Sequence, residues 1–314
     1  MEFTTSWQNF MTQLKAENIH NISVGIGVFD GVHLGHAELF RTLSEYAEAN
    51  NSYPVALTFA PHPRTLTAPD NPPKLLVPLN QRIELLKQHG AEKVFVIDFN
   101  EKFAAIEPEE FLNIISSSAD VRLDCITVGR NWRFGHNGAG DTVLVAKFCE
   151  EKNITFLPIE ELKIDGGKIS SANIRIAIAE GLLDTASAML GYKYFIHGEV
   201  VKGFSFAGDR LGHPTANLRA DSEILPPDGV YAAQTVIDGK TYPAAVNIGV
   251  APSFDFNKKQ HRIEVHVLDF EGNLYGRELA VALIKHLRNE RVFDSAEALK
   301  AQIILDIQQI RSLT

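Results

Sequence analysis

The chain has 314 residues, 45% of them apolar and 22% charged, and carries a formal net charge of −9. That length suggests about two domains, and the composition excludes a disordered tail and a fibrous protein. The acidic balance argues against broad attraction to nucleic acid, which rests on cations meeting phosphates, but leaves room for a small anionic ligand held by oriented amides. No apolar run approaches the roughly 18 residues of a transmembrane helix. The first ten residues, MEFTTSWQNF, lack the basic and then apolar segments of a signal peptide. Cys125 and Cys149 have no zinc or disulfide spacing and read as buried thiols of a reducing compartment. The expectation is a soluble cytoplasmic protein.

Up to about residue 180, short β-branched runs alternate with stretches of helical period. The strand-like runs are Ile22–Val28, Pro54–Thr58, Lys93–Ile97, Cys125–Val128 and Ile154–Pro158. Helix signals stand between them. Asn80 precedes QRIELLKQH with Gly90 at its end, Pro108 opens EEFLNII, and Asp141 can cap TVLVAKFCEE. The Pro-rich stretch Pro69–Pro78 reads as a long surface loop. This alternation predicts a mostly parallel sheet with helices on both faces, whose ligands bind beyond the carboxyl ends of the strands. After a helical stretch at Thr185–Leu190 the rhythm changes. Tyr194–Val201, Val230–Ile237, Tyr242–Ile248 and Arg262–Asp269 follow one another as strands, separated by turns such as Asp238-Gly239. A helix from about Ser295 to Ser312 ends the chain. This half is expected to be an antiparallel barrel or sandwich closed by one helix.

The first strand runs into Gly27-Val28-Phe29-Asp30-Gly31-Val32-His33-Leu34-Gly35-His36. Asp30 stands where a dinucleotide fingerprint needs its third glycine, and the chain has no GxxxxGK[ST] phosphate loop. What remains is His-x-Gly-His at a strand-to-helix junction. Histidines at i and i+3 share one face of the first helical turn, where free amides and the helix dipole already favour phosphate. Two imidazoles donating to phosphate oxygens can offset the charge that builds on a transferring phosphorus.

The stretch GVFDGVHLGH resembles the GxFDGxHxGH signature of the bacterial bifunctional riboflavin kinase/FMN adenylyltransferases, or FAD synthetases. Thr58–Pro63, Gly129–Gly135 and Ile169–Arg175 resemble further elements of that family, in family order. The resemblance implies that His33 and His36 bind and polarise the ATP phosphates. Gly27, Phe29, Asp30, Gly31 and Gly35 would bind ATP and its phosphates. Asn131 would help hold the nucleotide, and Ser171 and Arg175 would come from a loop closing on the triphosphate. Ala172 stands where the family usually has threonine, which removes one hydroxyl donor.

In the second half, Gly208-Asp209-Arg210-Leu211-Gly212-His213-Pro214-Thr215-Ala216-Asn217 is similar to the family's GRxxGFPTAN element, and Glu264–Phe270 to its ExHxxDF strand. The resemblance places ATP against Gly208, Gly212, Pro214, Thr215 and Asn217. Thr215 and Asn217, two apart on an extended strand, offer the hard oxygens that Mg²⁺ prefers. The resemblance gives Glu264 the role of general base toward the riboflavin 5′-hydroxyl, and Arg288 matches a family arginine near the flavin. Asp209 and His213 replace the usual arginine and phenylalanine. Asn247-Ile248-Gly249-Val250-Ala251-Pro252-Ser253 has serine where the family has threonine.

The resulting expectation is an α/β nucleotidyltransferase domain over residues 1–187, followed by a riboflavin kinase β-barrel with a terminal helix over 188–314. The implied substrates are ATP, riboflavin and FMN, with Mg²⁺ as cofactor, no nucleic acid or membrane partner, and a homo-oligomer left open. Two alternatives stand beside this reading: FMN adenylyltransfer alone with a kinase-impaired barrel, or a flavin-binding protein without turnover.

Overall fold

The computed structural model describes residues 2–201, 216–220, 224–250 and 261–314. Two compact units divide the chain: residues 1–73 with 79–170, and 74–78 with 171–314.

In the first unit, helix α1 (Glu2–Ala16) precedes β1 (Asn21–Ile26), α2 (Leu34–Ala49), β2 (Tyr53–Ala60), α3 (Pro63–Thr67) and α4 (Leu79–Gln88). Then come β3 (Lys93–Asp98), α5 (Glu101–Ala104), α6 (Pro108–Ser116), β4 (Arg122–Gly129), α7 (Thr142–Lys152) and β5 (Thr155–Ile159). A small hairpin, β6 (Lys163–Ile164) and β7 (Gly167–Lys168), closes the unit. The five long strands are parallel, in the order β3-β2-β1-β4-β5.

Alternation along these strands sorts the core into two layers. Ile22, Val24, Ile26, Val55, Leu57 and Ile126 pack with α1, α6 and α7. Ala56 and Cys125 pack with Leu39, Phe40 and Leu43 of α2 and Leu86 of α4. Gly25 has a steric reason: a Cβ there would stand 2.8 Å from Leu39 and 3.2 Å from Phe40, so α2 could not approach the strand.

Several sequence expectations hold in detail. The Asp141 carboxylate accepts from the amides of Val143 and Leu144, both at 3.0 Å, and Pro108 opens α6. Three do not. Helix α4 starts at Leu79, so Asn80 lies within its first turn and bonds to the Gln81 amide instead of capping from outside. Leu76 and Val77 are fully buried, so the Pro-rich stretch is only partly a surface loop. Helix α1, unforeseen in the sequence, buries Phe3, Trp7, Met11 and Leu14.

The second unit starts with α8 (Ser171–Ala179) and α9 (Leu183–Leu190). A closed barrel follows: β8 (Phe195–Val201), β9 (Ala216–Ala220), β10 (Gly229–Ile237), β11 (Lys240–Val250), β12 (His261–Val267) and β13 (Glu278–Arg288), in the order β10-β11-β12-β9-β8-β13. Every pairing is antiparallel. Asp238 and Gly239 both have positive φ, 51° and 78°, as a two-residue hairpin between right-twisted strands requires. Helix α10 (Ala296–Leu313) is capped by Ser295, whose hydroxyl accepts from the Ala298 amide at 3.1 Å. Its Ile310 packs with Ala232 and Leu268 against the barrel. β9 contains Asn217, expected on an extended strand; β13 was not foreseen.

Candidate active sites

In the first unit the chain passes from β1 to β2 on one side and later to β4 on the other, so the switch in strand order lies between β1 and β4. Ligands of such sheets bind at that point, beyond the carboxyl ends of the strands. The loop after β1 leads to His33 and the loop after β4 carries Asn131.

The β1–α2 loop is a strained turn pinned from within. Phe29, Gly31 and Val32 have φ of 52°, 78° and 34°, and a β-branched residue such as Val32 enters that region only when its surroundings hold it there. Phe29, Asp30 and Val32 are buried. His33 stands at the N-cap of α2 with extended backbone, and its ring makes no capping bond. It is free to stack on His36, with centroids 3.7 Å apart and planes at 17°. The Phe29 ring meets His36 edge-on at 5.1 Å. Among the described residues, the Nδ1 atoms of both histidines are buried without a hydrogen-bond partner. Burial drives the His33 pKa down to about 4. His36 lies well below the ordinary histidine range, first through burial and then through the charges of His33, Arg82 and His89. The pair is therefore neutral at pH 7. With the first amides of a 16-residue helix, it forms a set of uncharged donors suited to an anion.

Within the same unit a cleft of about 770 Å³ opens past the strand ends. Val28, Phe59, Phe99, Phe111, Trp132 and Phe134 line it. Trp132 and Phe134 lie parallel at 4.3 Å and 6°, presenting a flat aromatic wall. Asn131, exposed, donates from Nδ2 to Glu161 at 2.6 Å, and Glu161 also accepts from Lys168. Those two bonds hold the Glu161 carboxyl below its usual pKa range, Lys168 contributing most. The Asn131–Glu161–Lys168 bridge has no counterpart among the expected residues. Ser171 opens α8 and Arg175 stands one turn later, its Nε donating to the Lys74 carbonyl at 2.6 Å. Both belong to the second unit.

In the barrel, strand register gathers residues far apart in sequence. Asn217 of β9 pairs with Glu264 of β12, which pairs with Asn247 of β11. Asn247 pairs with Val230 of β10, and Val230 with Arg288 of β13. Directly paired residues of an antiparallel sheet point the same way, so Asn217, Glu264, Asn247 and Arg288 form one row. Their neighbours Val246, Ile248, Ile263 and Val265 fill the barrel interior, which places the row on the outer face. Glu264 has Arg262 at 3.5 Å. Asn247 donates to Glu290 at 2.9 Å, while its Oδ1 is buried without a partner among the described residues.

Amide and carboxylate oxygens of this kind suit Mg²⁺, a hard cation that retains several waters. Thr215, the other expected ligand, lies outside the described residues, as do Gly208, Asp209, Gly212, His213 and Pro214. Arg288 is tied to the terminal helix: Nε and Nη2 donate to Asp306 of α10 at 3.0 and 2.8 Å, and Nη1 donates to the Asn289 carbonyl at 3.2 Å. Gln302 completes the shell of Asp306 at 2.7 Å. In this arrangement Arg288 fastens the terminal helix to the end of β13.

Fold and sites together define a nucleotidyltransferase-type α/β unit carrying a histidine pair, followed by a closed barrel with a carboxylate set in a row of amides. The FAD synthetase family model matches residues 15–173 and the riboflavin kinase family model residues 190–314. The chain is 34% identical over 294 residues to the bifunctional riboflavin kinase/FMN adenylyltransferase of Buchnera aphidicola subsp. Schizaphis graminum, covering 93% of each chain. It is also 34% identical to the enzymes of that description from Bacillus subtilis, covering 94% of this chain and 93% of the relative, and from Escherichia coli K12, covering 92% and 94%. A crystal structure described as a macrolide-efflux protein from Streptococcus pneumoniae superposes with a TM-score of 0.80 at 28% identity, over 94% of this chain and 95% of that one. The chain belongs to the bifunctional riboflavin kinase/FMN adenylyltransferase family.

Proposed function

We infer that the two units perform consecutive steps of FAD synthesis. The barrel phosphorylates riboflavin with ATP to give FMN and ADP. The α/β unit then transfers AMP from a second ATP to FMN, giving FAD and pyrophosphate. The observation that carries this reading is the stacked, neutral His33–His36 pair on the start of α2, on a loop whose Val28 also lines the aromatic cleft.

In the adenylyl transfer, an FMN phosphate oxygen forms a bond to the α-phosphorus of ATP while the bond to the β-phosphate bridging oxygen breaks. The nucleophile is already an anion, so no general base is required. His33, His36 and the α2 amides offset the charge that builds on the phosphates. Gly27, Phe29, Asp30, Gly31 and Gly35 shape the turn that aims them. Asn131 holds the nucleotide, and Ser171 and Arg175, on α8 of the second unit, are assigned to the triphosphate on the motif alone. The Trp132–Phe134 wall takes the flat flavin ring of the acceptor.

In the kinase step the nucleophile is a hydroxyl, which must lose a proton. Glu264, 19% exposed at its side chain, accepts it, and the displaced bond is that between the β- and γ-phosphates. Gly208, Gly212 and Pro214 are assigned to ATP on the motif alone. Asn217 and Thr215 would hold Mg²⁺, which when bound draws the ATP phosphates together and shares their charge. Arg288 acts on the flavin side through the helix it anchors. The functional boundary near residue 187 is supported by the gap between the two matched segments, which end at 173 and resume at 190; the compact units part earlier, at residue 170. A cytoplasmic setting with small-molecule substrates and no nucleic-acid partner is supported by the net charge of −9 and two unpaired, buried cysteines.

The test is a chromatographic assay of the full chain with riboflavin, ATP and Mg²⁺, run beside one started from FMN. The first should yield FMN and then FAD. Glu264→Ala should lose FMN formation by a hundredfold or more, on the order expected for removing a general base, while still converting supplied FMN. A folded Glu264→Ala protein that loses both activities would refute the assignment of one site to each unit.

A further inference from the structure

Arg82 lies on α4, inside QRIELLKQH, and is 1% exposed. A guanidinium sheds its water at high cost, so one held in a core requires specific partners. Its Nη1 donates to the Val28 carbonyl at 2.6 Å and to the Phe59 carbonyl at 3.2 Å, with Thr58 Oγ1 at 3.5 Å. Thr58 Oγ1 itself donates to the same Val28 carbonyl at 2.9 Å. These oxygens sit where β1 and β2 end and the cleft starts: Val28 and Phe59 both line it. Nε of Arg82 is buried with no acceptor among the described residues. The carboxylate whose charge reaches the guanidinium is Asp30, buried in the strained β1–α2 turn.

We propose that Arg82 is a positioning residue for adenylyl transfer, fastening the carboxyl ends of β1 and β2 beneath the loop that carries His33 and His36 and setting the charge those imidazoles experience. The inference rests on the adenylyl-transfer reading of this site. Two independent features carry it. The first is mechanical: one nitrogen ties the floor of the histidine loop to the strand that forms the cleft wall. The second is electrostatic. His36 is faced by the stacked ring of His33, the edge of Phe29, Arg82 from α4 and His89 just beyond it. Asp30 is the opposing charge, acting on Arg82. With two further imidazoles neutral near pH 7, Arg82 is the permanent cation of this set and one of the charges that, after burial and beside His33, keep His36 unprotonated. A neutral apolar side chain would fill the same space without the cost of burying a charge, so packing alone does not account for an arginine here.

The experiment compares wild type, R82M and R82K as full-length protein. It measures kcat and KM for conversion of FMN to FAD between pH 3.5 and 9, with the tryptophan fluorescence of each preparation as the check that the α/β unit is folded, since Trp7 and Trp132 both lie in it. R82M removes the cation. Its acid limb should move up by about one pH unit, the order expected for one charge several ångströms away at a protein-like dielectric, and its plateau kcat should fall at least tenfold. R82K keeps the charge but its single ammonium stops short of the place where Nη1 meets the Val28 and Phe59 carbonyls, so its limb should stay with wild type while kcat falls. An R82M enzyme whose limb does not move, or moves toward lower pH, overturns the proposal even if its rate is reduced. If R82M does not fold, R82K decides: a tenfold loss of kcat with native tryptophan fluorescence supports the proposal, and a wild-type kcat overturns it. A wild-type chain that makes no FAD from FMN instead overturns the reading of the site itself, whatever the variants do.

Discussion

Acid should unfold the α/β unit selectively, and His33 gives the size of the effect. In the folded chain its pKa is about 4, against an ordinary 6.5, because burial disfavours the imidazolium. Between those two values the unfolded chain binds a proton that the folded chain refuses, so lowering the pH favours unfolding. The contribution to stability is complete above pH 6.5 and is lost as the pH falls through the window down to 4. At 1.36 kcal/mol per unit the limiting loss is about 3 kcal/mol, of which about 2 kcal/mol is gone by pH 5. His36, shifted in the same direction, adds to it. The assay is urea unfolding followed by tryptophan fluorescence, and the chain suits it: both tryptophans, Trp7 and Trp132, belong to the α/β unit. His33→Gln removes the titrating group. Wild type should lose about 2 kcal/mol more than this variant between pH 7.5 and 5. Equal losses in the two proteins would refute the claim that the fold holds His33 neutral.

Other outcomes follow from particular contacts. Asp306→Ala leaves the Arg288 guanidinium without its carboxylate partner, a change costing about 3 kcal/mol for a largely buried pair; calorimetry should show the barrel's transition lowered, with kinase activity lost at temperatures where FMN is still converted to FAD. Trp132→Ala removes half of the stacked wall, and such ring contacts contribute about 1 kcal/mol beyond the area they bury. It should raise KM for FMN in adenylyl transfer several-fold and leave KM for riboflavin in the kinase step unchanged; an unchanged KM for FMN would exclude the cleft as the flavin seat.

Much of the α/β unit was legible because its local signals agree with its topology. The spacing of His33 and His36 predicts a shared face, and the rings stack there. Asp141 and Ser295 cap the helices their sequences mark. Arg82 was illegible for a physical reason. In a helix of polar residues a charge interrupts the apolar stripe that identifies the inward face, and only the sheet's strand ends, 54 and 23 residues away in the chain, give the guanidinium acceptors. The row across the barrel was hidden in another way. Asn217, Glu264, Asn247 and Arg288 are adjacent through register, a property of strand pairs rather than of strands. β13 did carry a signal, since Leu279, Val281 and Leu283 alternate as a half-buried strand must.

The two units solve different proton problems, and their architecture reflects it. Adenylyl transfer starts from a phosphate anion, so its site can consist of uncharged donors, and uncharged histidines require burial. The β1–α2 turn supplies that burial through Phe29 and Val32 at positive φ. Phosphorylation of an alcohol requires a base that stays ionised, so its carboxylate must retain contact with water and with cations. In the proposed assignment that carboxylate is Glu264, on the outer face of the barrel with Arg262 at 3.5 Å. Exchanging the two environments would disable both reactions: a carboxylate as deeply buried as His33 would take up a proton at neutral pH, and histidines left in solvent would titrate near 6.5 and lose their fixed charge state.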